Sequence, residues 1–483
     1  MELTYTGVVL LLLFAFVMLR VPNGTLYLLA FFVPFASTAI LNLPAFTFSF
    51  TPYHVLGSTL VGLAILGWTS RPLSGDQLNL RSPFFWMMAF IAMLIASMFA
   101  LALTRGLGFG VVIQTVILLL GFLVSWAVAE GITGPEIAQR VVVIYLWGGL
   151  FTAVWGLFQW LCLNMGLTYP SDIFNNSISE AGALFDQALK ESSYVVYRIS
   201  SVSFEPSSLA RFLISVLVIA VVLLGEGVNR VPFGRWYIYL VSGVIALSTS
   251  TTGLVGLAVV FPLTLLLYGR LFLRDIVIIA VVGTFLLAIS PEVATIASRV
   301  TVEKGDSGSF DVRMQSMIDG LQAFTDAPMF GHGWGWFKSG TQSTVLVNDL
   351  IFKFLSSVGL FGFTLFLLYV GLGLLAAWGA AARVSERLRL PDLSDQERAT
   401  GNFLRAATIG LVLAILVSLF LDALASFFYY GGHFWFMFGT LVGLARAATL
   451  WENRCGAQGH VPARAAAGQD KAGLAPVARR EGG

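Results

Sequence analysis

Apolar runs close to 20 residues long follow one another from the start of the chain to residue 449, separated by short polar stretches. A helix rises about 1.5 Å per residue, so a run of that length crosses ~30 Å of hydrocarbon. The pattern predicts thirteen spans: 4–20, 25–42, 53–69, 83–103, 107–128, 140–163, 207–225, 236–249, 252–268, 275–290, 350–379, 403–422 and 433–449. Several are short enough to tilt, re-enter or merge, which sets the expected count at about twelve to fourteen. The expected fold is an all-α polytopic membrane protein. Composition agrees, because 57% of the 483 residues are hydrophobic and only 11% are charged, against about 25% charged in soluble domains.

Two long polar segments divide the spans. The chain then reads as a transmembrane scaffold (1–163), a first loop (164–206), central helices (207–290), a large loop (291–349), C-terminal helices (350–449) and a tail (450–483). In the first loop Ile178, Ala181, Leu184, Phe185 and Ala188 recur at helical spacing, predicting a short amphipathic surface helix from Ser177 to Glu191. The tail is rich in Ala, Gly and Arg, lacks periodicity, and is expected to be disordered. In the scaffold Gln114 and Gln159 are isolated polar side chains, expected to bond a neighbouring helix.

Net charge is only +2, but its distribution is uneven. Taken loop by loop, most of the 28 basic residues fall on one side, among them Arg20, Arg71, Arg81, Arg140, Arg230, Arg270, Arg383 and Arg446. By the positive-inside rule that side is cytoplasmic, which puts the N-terminus and both long loops outside and the C-terminus inside. The first span lacks a basic n-region and a small-residue cleavage site, so it is expected to be retained. Cys162 lies in a span and Cys455 in the tail, too far apart in this topology to pair. No Cys/His spacing suggests a metal site.

Polar side chains are scarce, and the outer side holds most of those with chemical potential. In Arg198-Ile-Ser-Ser-Val-Ser-Phe-Glu-Pro-Ser-Ser-Leu-Ala-Arg211, Pro206 fits a first helical turn and Glu205 stands at the positive end of the dipole. Arg211 is inside the apolar end of the helix, where a charge is expensive and points to function or to an interfacial anchor. Leu247-Ser-Thr-Ser-Thr-Thr-Gly253 reads as an outer turn and helix cap. The large loop carries Arg299, Arg313 and the run Gly331-His-Gly-Trp-Gly-Trp336, whose indoles suit carbohydrate rings or an interfacial belt. Asn348 and Asp349 precede the next helix.

Arginines paired with phosphates can stabilise a pyrophosphate leaving group without a metal, and a carboxylate can take a proton from an attacking hydroxyl. On that basis Arg198, Arg211 and Arg313 are candidate pyrophosphate ligands, with Arg299 as a fourth. Glu205 is the candidate base, with Asp349 and His332 as further catalytic candidates. Ser208, Ser250, Trp334, Trp336 and Asn348 are candidate sugar contacts. For Glu205 a structural salt bridge to Arg198 or Arg211 is the competing reading. No hydrolase elbow, zinc motif or nucleotide loop is present, and no nucleic-acid partner is expected.

Phe204-Glu-Pro-Ser-Ser208, then Ser248-Thr-Ser-Thr-Thr-Gly253, Arg313, Pro328-Met-Phe-Gly-His-Gly-Trp-Gly335 and Asn348-Asp349 before Gly359-Leu-Phe-Gly362 together resemble the O-antigen polymerase and ligase superfamily. The resemblance covers about residues 195–365. It implies glycosyl transfer on the periplasmic face of a bacterial inner membrane, from an undecaprenyl-pyrophosphate donor, with no metal or other cofactor. The two long loops would then be periplasmic. In the ligases a His-Asn pair usually stands where this chain has Asn348-Asp349, so the polymerase branch is favoured. Ligase-type transfer to lipid A-core or protein stays open, as does a polysaccharide or lipid transporter. The bilayer, the lipid-linked oligosaccharide, a chain-length regulator and a flippase are the partners the resemblance implies.

Overall fold

A computed structural model describes residues 1–69, 80–106, 108–178, 188–190, 195–289, 308–338, 350–424 and 432–458. The chain is an all-α polytopic membrane protein. The helices are α1 (Tyr5–Arg20), α2 (Gly24–Phe32), α3 (Pro52–Thr69), α4 (Pro83–Arg105), α5 (Phe109–Gly131), α6 (Pro135–Asn164) and α7 (Ser171–Phe174). They continue with α8 (Pro206–Gly225), α9 (Arg235–Leu247), α10 (Thr251–Ile289), α11 (Gly308–Asp326), α12 (Leu350–Arg387), α13 (Asp395–Leu424) and α14 (Gly432–Gln458). Among the described residues eight helices are long and apolar enough to cross a membrane, and α1, α3 and α9 hold shorter apolar stretches. Proline opens α3, α4, α6 and α8, where its missing N–H costs nothing and its fixed φ suits the first turn.

Two expectations need correction. The span predicted at 25–42 is only the short α2, with Val33 as its C-cap. Pro34 follows, which has no N–H to carry the helical ladder on and whose ring crowds the preceding turn. The chain then enters a small antiparallel sheet of β1 (Glu2–Leu3), β2 (Leu41–Leu43) and β3 (Phe48–Phe50). The helix predicted from Ser177 to Glu191 is also not continuous. Ala188–Lys190 forms β4, paired antiparallel with β5 (Val195–Tyr197) in the register Ala188↔Tyr197, and 179–187 and 191–194 lie outside the described residues. Val195, Val196 and Tyr197 are strong strand formers, and local pairing with them overrides the helical spacing.

The core is built around α8. Every residue from Leu209 to Leu223 is buried, as expected of a helix that is apolar all round. It packs on α13, α10, α9 and α6. The predicted spans 252–268 and 275–290 are two parts of α10, joined at Tyr268, whose φ of −135° and ψ of 26° are not helical. A second break divides α12 at Gly359, with φ 66° and ψ −174°, a backbone region essentially reserved for glycine. The segment 328–333 is laced to this break by backbone bonds: Leu360 N to Pro328 O at 2.8 Å, Phe361 N to Met329 O at 3.1 Å, and His332 N to Ser356 O and Gly333 N to Ser357 O, both at 2.9 Å. A Cβ at Gly359 would collide with the Met329 carbonyl oxygen.

Candidate functional site

The mouth of α8 is where the polar side chains meet. Glu205 is its N-cap residue in extended conformation, with Pro206 in the first turn. The Ser207 hydroxyl donates to the Glu205 carboxylate. One turn deeper, Arg211 Nη2 lies 3.8 Å from Glu205 Oε1 while Nη1 makes a 2.7 Å bridge to Asp422 Oδ1 on α13. Nη2 also reaches the Ser208 hydroxyl at 3.4 Å, and Nε the Ser207 carbonyl at 3.4 Å. The Arg211 side chain is 2% exposed and that of Asp422 is fully buried, whereas Glu205 keeps 20% of its surface. The outcome is a graded pair of carboxylates on one guanidinium, the inner one sealed and the outer one reachable from solvent.

The predicted bridge from Glu205 to Arg211 is therefore present, alongside a stronger one that the sequence reading did not include. Asp422 is not among the candidate residues named from the sequence. Its signal was available, because it is the lone carboxylate between Arg405 and the end of α13, and an isolated charge in an apolar helix needs a partner. With both carboxylates on its guanidinium, Arg211 is committed to protein groups rather than open to a phosphate, as the sequence reading had it. His433, in the first turn of α14, packs its ring edge-on to Phe212 at 6.2 Å, one residue from Arg211.

The approach to Glu205 is clamped from α6. Gln159 Oε1 accepts the backbone N–H groups of Ser200 (3.0 Å) and Ser201 (2.7 Å), and the Ser201 hydroxyl donates to Thr152 O at 2.7 Å. Gln159 thus fixes the site-bearing loop through its side-chain oxygen. Arg198, at the start of this loop, donates from Nε to the Thr249 hydroxyl at 3.1 Å. Thr249 sits at positive φ in the turn between α9 and α10, where the outer turn was expected. That turn lies beside α8, since a Cβ at Gly253 would be 2.9 Å from the Ala210 methyl. Arg198, the hydroxyl turn and the mouth of α8 are consequently one neighbourhood. Ser208 belongs to it through Arg211. Ser250 is buried, so its hydroxyl is part of the turn's interior rather than a surface for sugar.

The glycine–tryptophan run has a different role from the one its composition suggested. Trp334 is fully buried and packs edge-on to Phe354 at 5.2 Å, which makes it a core residue and not a sugar platform. His332 donates from Nε2 to Ala323 O at 2.9 Å, tying the run to α11, and its ring lies 5.1 Å from that of Trp336. Trp336 keeps partial exposure. Gly331 packs directly on the Ser357 backbone, so this run is a brace for the break in α12. Arg313 is on α11, its side chain outside the described residues, as are Arg299, Asn348 and Asp349.

Comparison with known proteins adds one match. Residues 236–367 match a family model described as O-antigen ligase. The matched region runs from α9 through the hydroxyl turn, α10, α11 and the braced break in α12, and ends two residues from the limit of the resemblance drawn from the motifs. No curated protein matches the chain. The match supports membrane glycosyl transfer of the O-antigen ligase and polymerase type for this part of the chain, and it agrees with the resemblance drawn from the motifs without distinguishing the two branches.

Proposed function

We propose that the chain is a polysaccharide polymerase, transferring a glycan from undecaprenyl pyrophosphate onto the sugar of a lipid-linked repeat unit. The reaction would take place on the periplasmic face of a bacterial inner membrane, with the C-terminus cytoplasmic. The observation that carries the reading is the solvent-reachable Glu205 carboxylate held by Arg211 and Ser207 in a chain with the O-antigen ligase family match. Glu205 takes the proton of the acceptor hydroxyl as its oxygen bonds to the anomeric carbon. The bond from that carbon to the pyrophosphate oxygen breaks, and the carrier leaves with its pyrophosphate.

In this assignment Arg198, with Arg313 and Arg299, takes the developing charge on the leaving group, because guanidinium pairs phosphate oxygens in a fixed fork. Arg211 is a positioning residue acting through Glu205. Asp349 is the second candidate base. Trp336, Asn348 and Ser208 are the proposed sugar contacts. No metal or nucleotide is invoked. The polymerase branch is preferred over the ligase because Asn348-Asp349 replaces the ligases' His-Asn pair. A chain-length regulator and a flippase are the partners such a reaction implies.

The test is to reconstitute the purified chain in liposomes with its lipid-pyrophosphate-linked repeat unit as sole substrate and separate products by size. A ladder with release of lipid pyrophosphate supports polymerase. Transfer only after adding lipid A-core identifies a ligase, and no turnover with either substrate removes the glycosyl-transfer reading in favour of transport.

A further inference from the structure

A cavity of about 550 Å³ lies at the other end of the bundle from Glu205. It is walled by the α1–α2 turn and by α3, α5 and α14. Arg446, which lines it, is roughly 20 Å along α14 from His433 at about 1.5 Å per residue. The volume is in the range of small-molecule sites, roughly 300–1,000 Å³. Its composition is divided. Leu60, Leu63, Ala64 and Gly67 present one apolar strip of α3, faced by Leu26 and Trp126. The polar end holds one cation and one carboxylate, Arg446 and Glu130, with Arg446 Nη1 3.1 Å from Glu130 Oε2. The first turn of α2, from Gly24, completes that end.

We infer that this cavity binds a zwitterionic phospholipid carrying a primary amine, a phosphatidylethanolamine. An anion alone would meet Glu130, and a cation alone would meet Arg446. A headgroup with a phosphate and an ammonium one short link apart answers both with charge-assisted hydrogen bonds. The phosphate side faces Arg446 and the positive start of α2, and the ammonium faces Glu130. The acyl chain follows the α3 strip to the bilayer, where Leu63 and Leu66 are exposed beside it. Basic pockets between transmembrane helices are established headgroup sites, and the carboxylate is what turns this one from anionic to zwitterionic lipid. A choline headgroup has no N–H to give to Glu130, and a glycerol headgroup has no cation.

The inference is independent of the reaction proposed above. Gly67→Leu gives a clean test, since a Cβ at Gly67 meets nothing within 4 Å, so the larger side chain fills the cavity without disturbing the helix. The delipidated full-length protein, in detergent, would be mixed with equal amounts of dioleoyl phosphatidylethanolamine, phosphatidylglycerol and phosphatidylcholine and examined by native mass spectrometry. The expected result is one retained phosphatidylethanolamine per chain, favoured about fivefold over each competitor, a preference near 1 kcal/mol. In G67L that adduct should fall to the level of the others, in Glu130→Gln the preference over phosphatidylcholine should vanish, and in Arg446→Gln all adducts should weaken. Equal retention of the three lipids, preference for phosphatidylglycerol, or an ethanolamine adduct unchanged in G67L would each overturn the assignment.

Discussion

Replacing Asp422 with leucine should separate what the buried ion pair does for stability from what it does for the site. Asp422 is fully buried, Arg211 is 2% exposed, and their 2.7 Å contact lies between the two helices packed at the centre of the bundle. Taking away the carboxylate strands a guanidinium that water cannot reach and whose contact with Glu205 is longer, at 3.8 Å. Breaking one half of a buried pair costs about 3–5 kcal/mol. At about 1.4 kcal/mol per factor of ten, that is at least a hundredfold in the folding equilibrium. The double variant Arg211→Met with Asp422→Leu removes both charges and leaves apolar chains of similar length, a change that is often neutral or stabilising. It should therefore recover at least about 2 kcal/mol over Asp422→Leu, within the range of coupling between contacting residues. Unfolding by dodecyl sulfate in mixed micelles, followed by the fluorescence of the 12 tryptophans, measures all three proteins. The recovered double variant should remain inactive in glycan transfer, because Glu205 has lost the group that orients it. A single variant within about 1 kcal/mol of wild type, or a double variant no more stable than the single, would refute the reasoning.

Three further outcomes are expected. Gly359→Ala places a side chain at φ 66° against the Met329 carbonyl, so it should lower stability by at least 1–3 kcal/mol in the same titration. Trp334→Phe should keep transfer activity while Trp334→Ala loses about 3–5 kcal/mol of stability, since the indole packs on Phe354 and not on substrate; transfer lost in a stably folded Trp334→Phe would restore the sugar-contact role. Arg198→Gln should reduce kcat/KM by about ten- to a hundredfold, the loss of one charged hydrogen-bonding group of about 1.5–3 kcal/mol, with a smaller loss in Thr249→Val; unchanged kinetics in both would take Arg198 out of the site.

Much of the architecture was legible because hydrocarbon-length apolar runs and prolines are local signals. The start of α8 at Pro206, the turn at 248–250 and the pairing of Glu205 with Arg211 could all be read from adjacent residues. What escaped reading is what depends on distant chain segments. Asp422 closes on Arg211 from 211 positions away, and no spacing rule links them. Trp334 carries the composition of a carbohydrate platform, yet the backbone lacing of 328–333 to Ser356–Phe361 turns it inward. Gln159 reads as a helix-bonding side chain, and nothing local shows that its oxygen holds a loop more than 40 residues on. Proline at 34 was the visible warning against a span at 25–42, and hydropathy alone outweighed it.

The most direct test of the account compares wild type with Glu205→Gln in liposomes, measuring glycan ladder and released lipid pyrophosphate from the lipid-linked repeat unit. Glutamine keeps the size of the side chain and an oxygen to accept from Ser207, but it cannot take the acceptor proton. The account predicts a ladder from wild type and none from a Glu205→Gln protein with an unchanged unfolding midpoint. A ladder from that variant at a rate close to wild type would contradict the central claim.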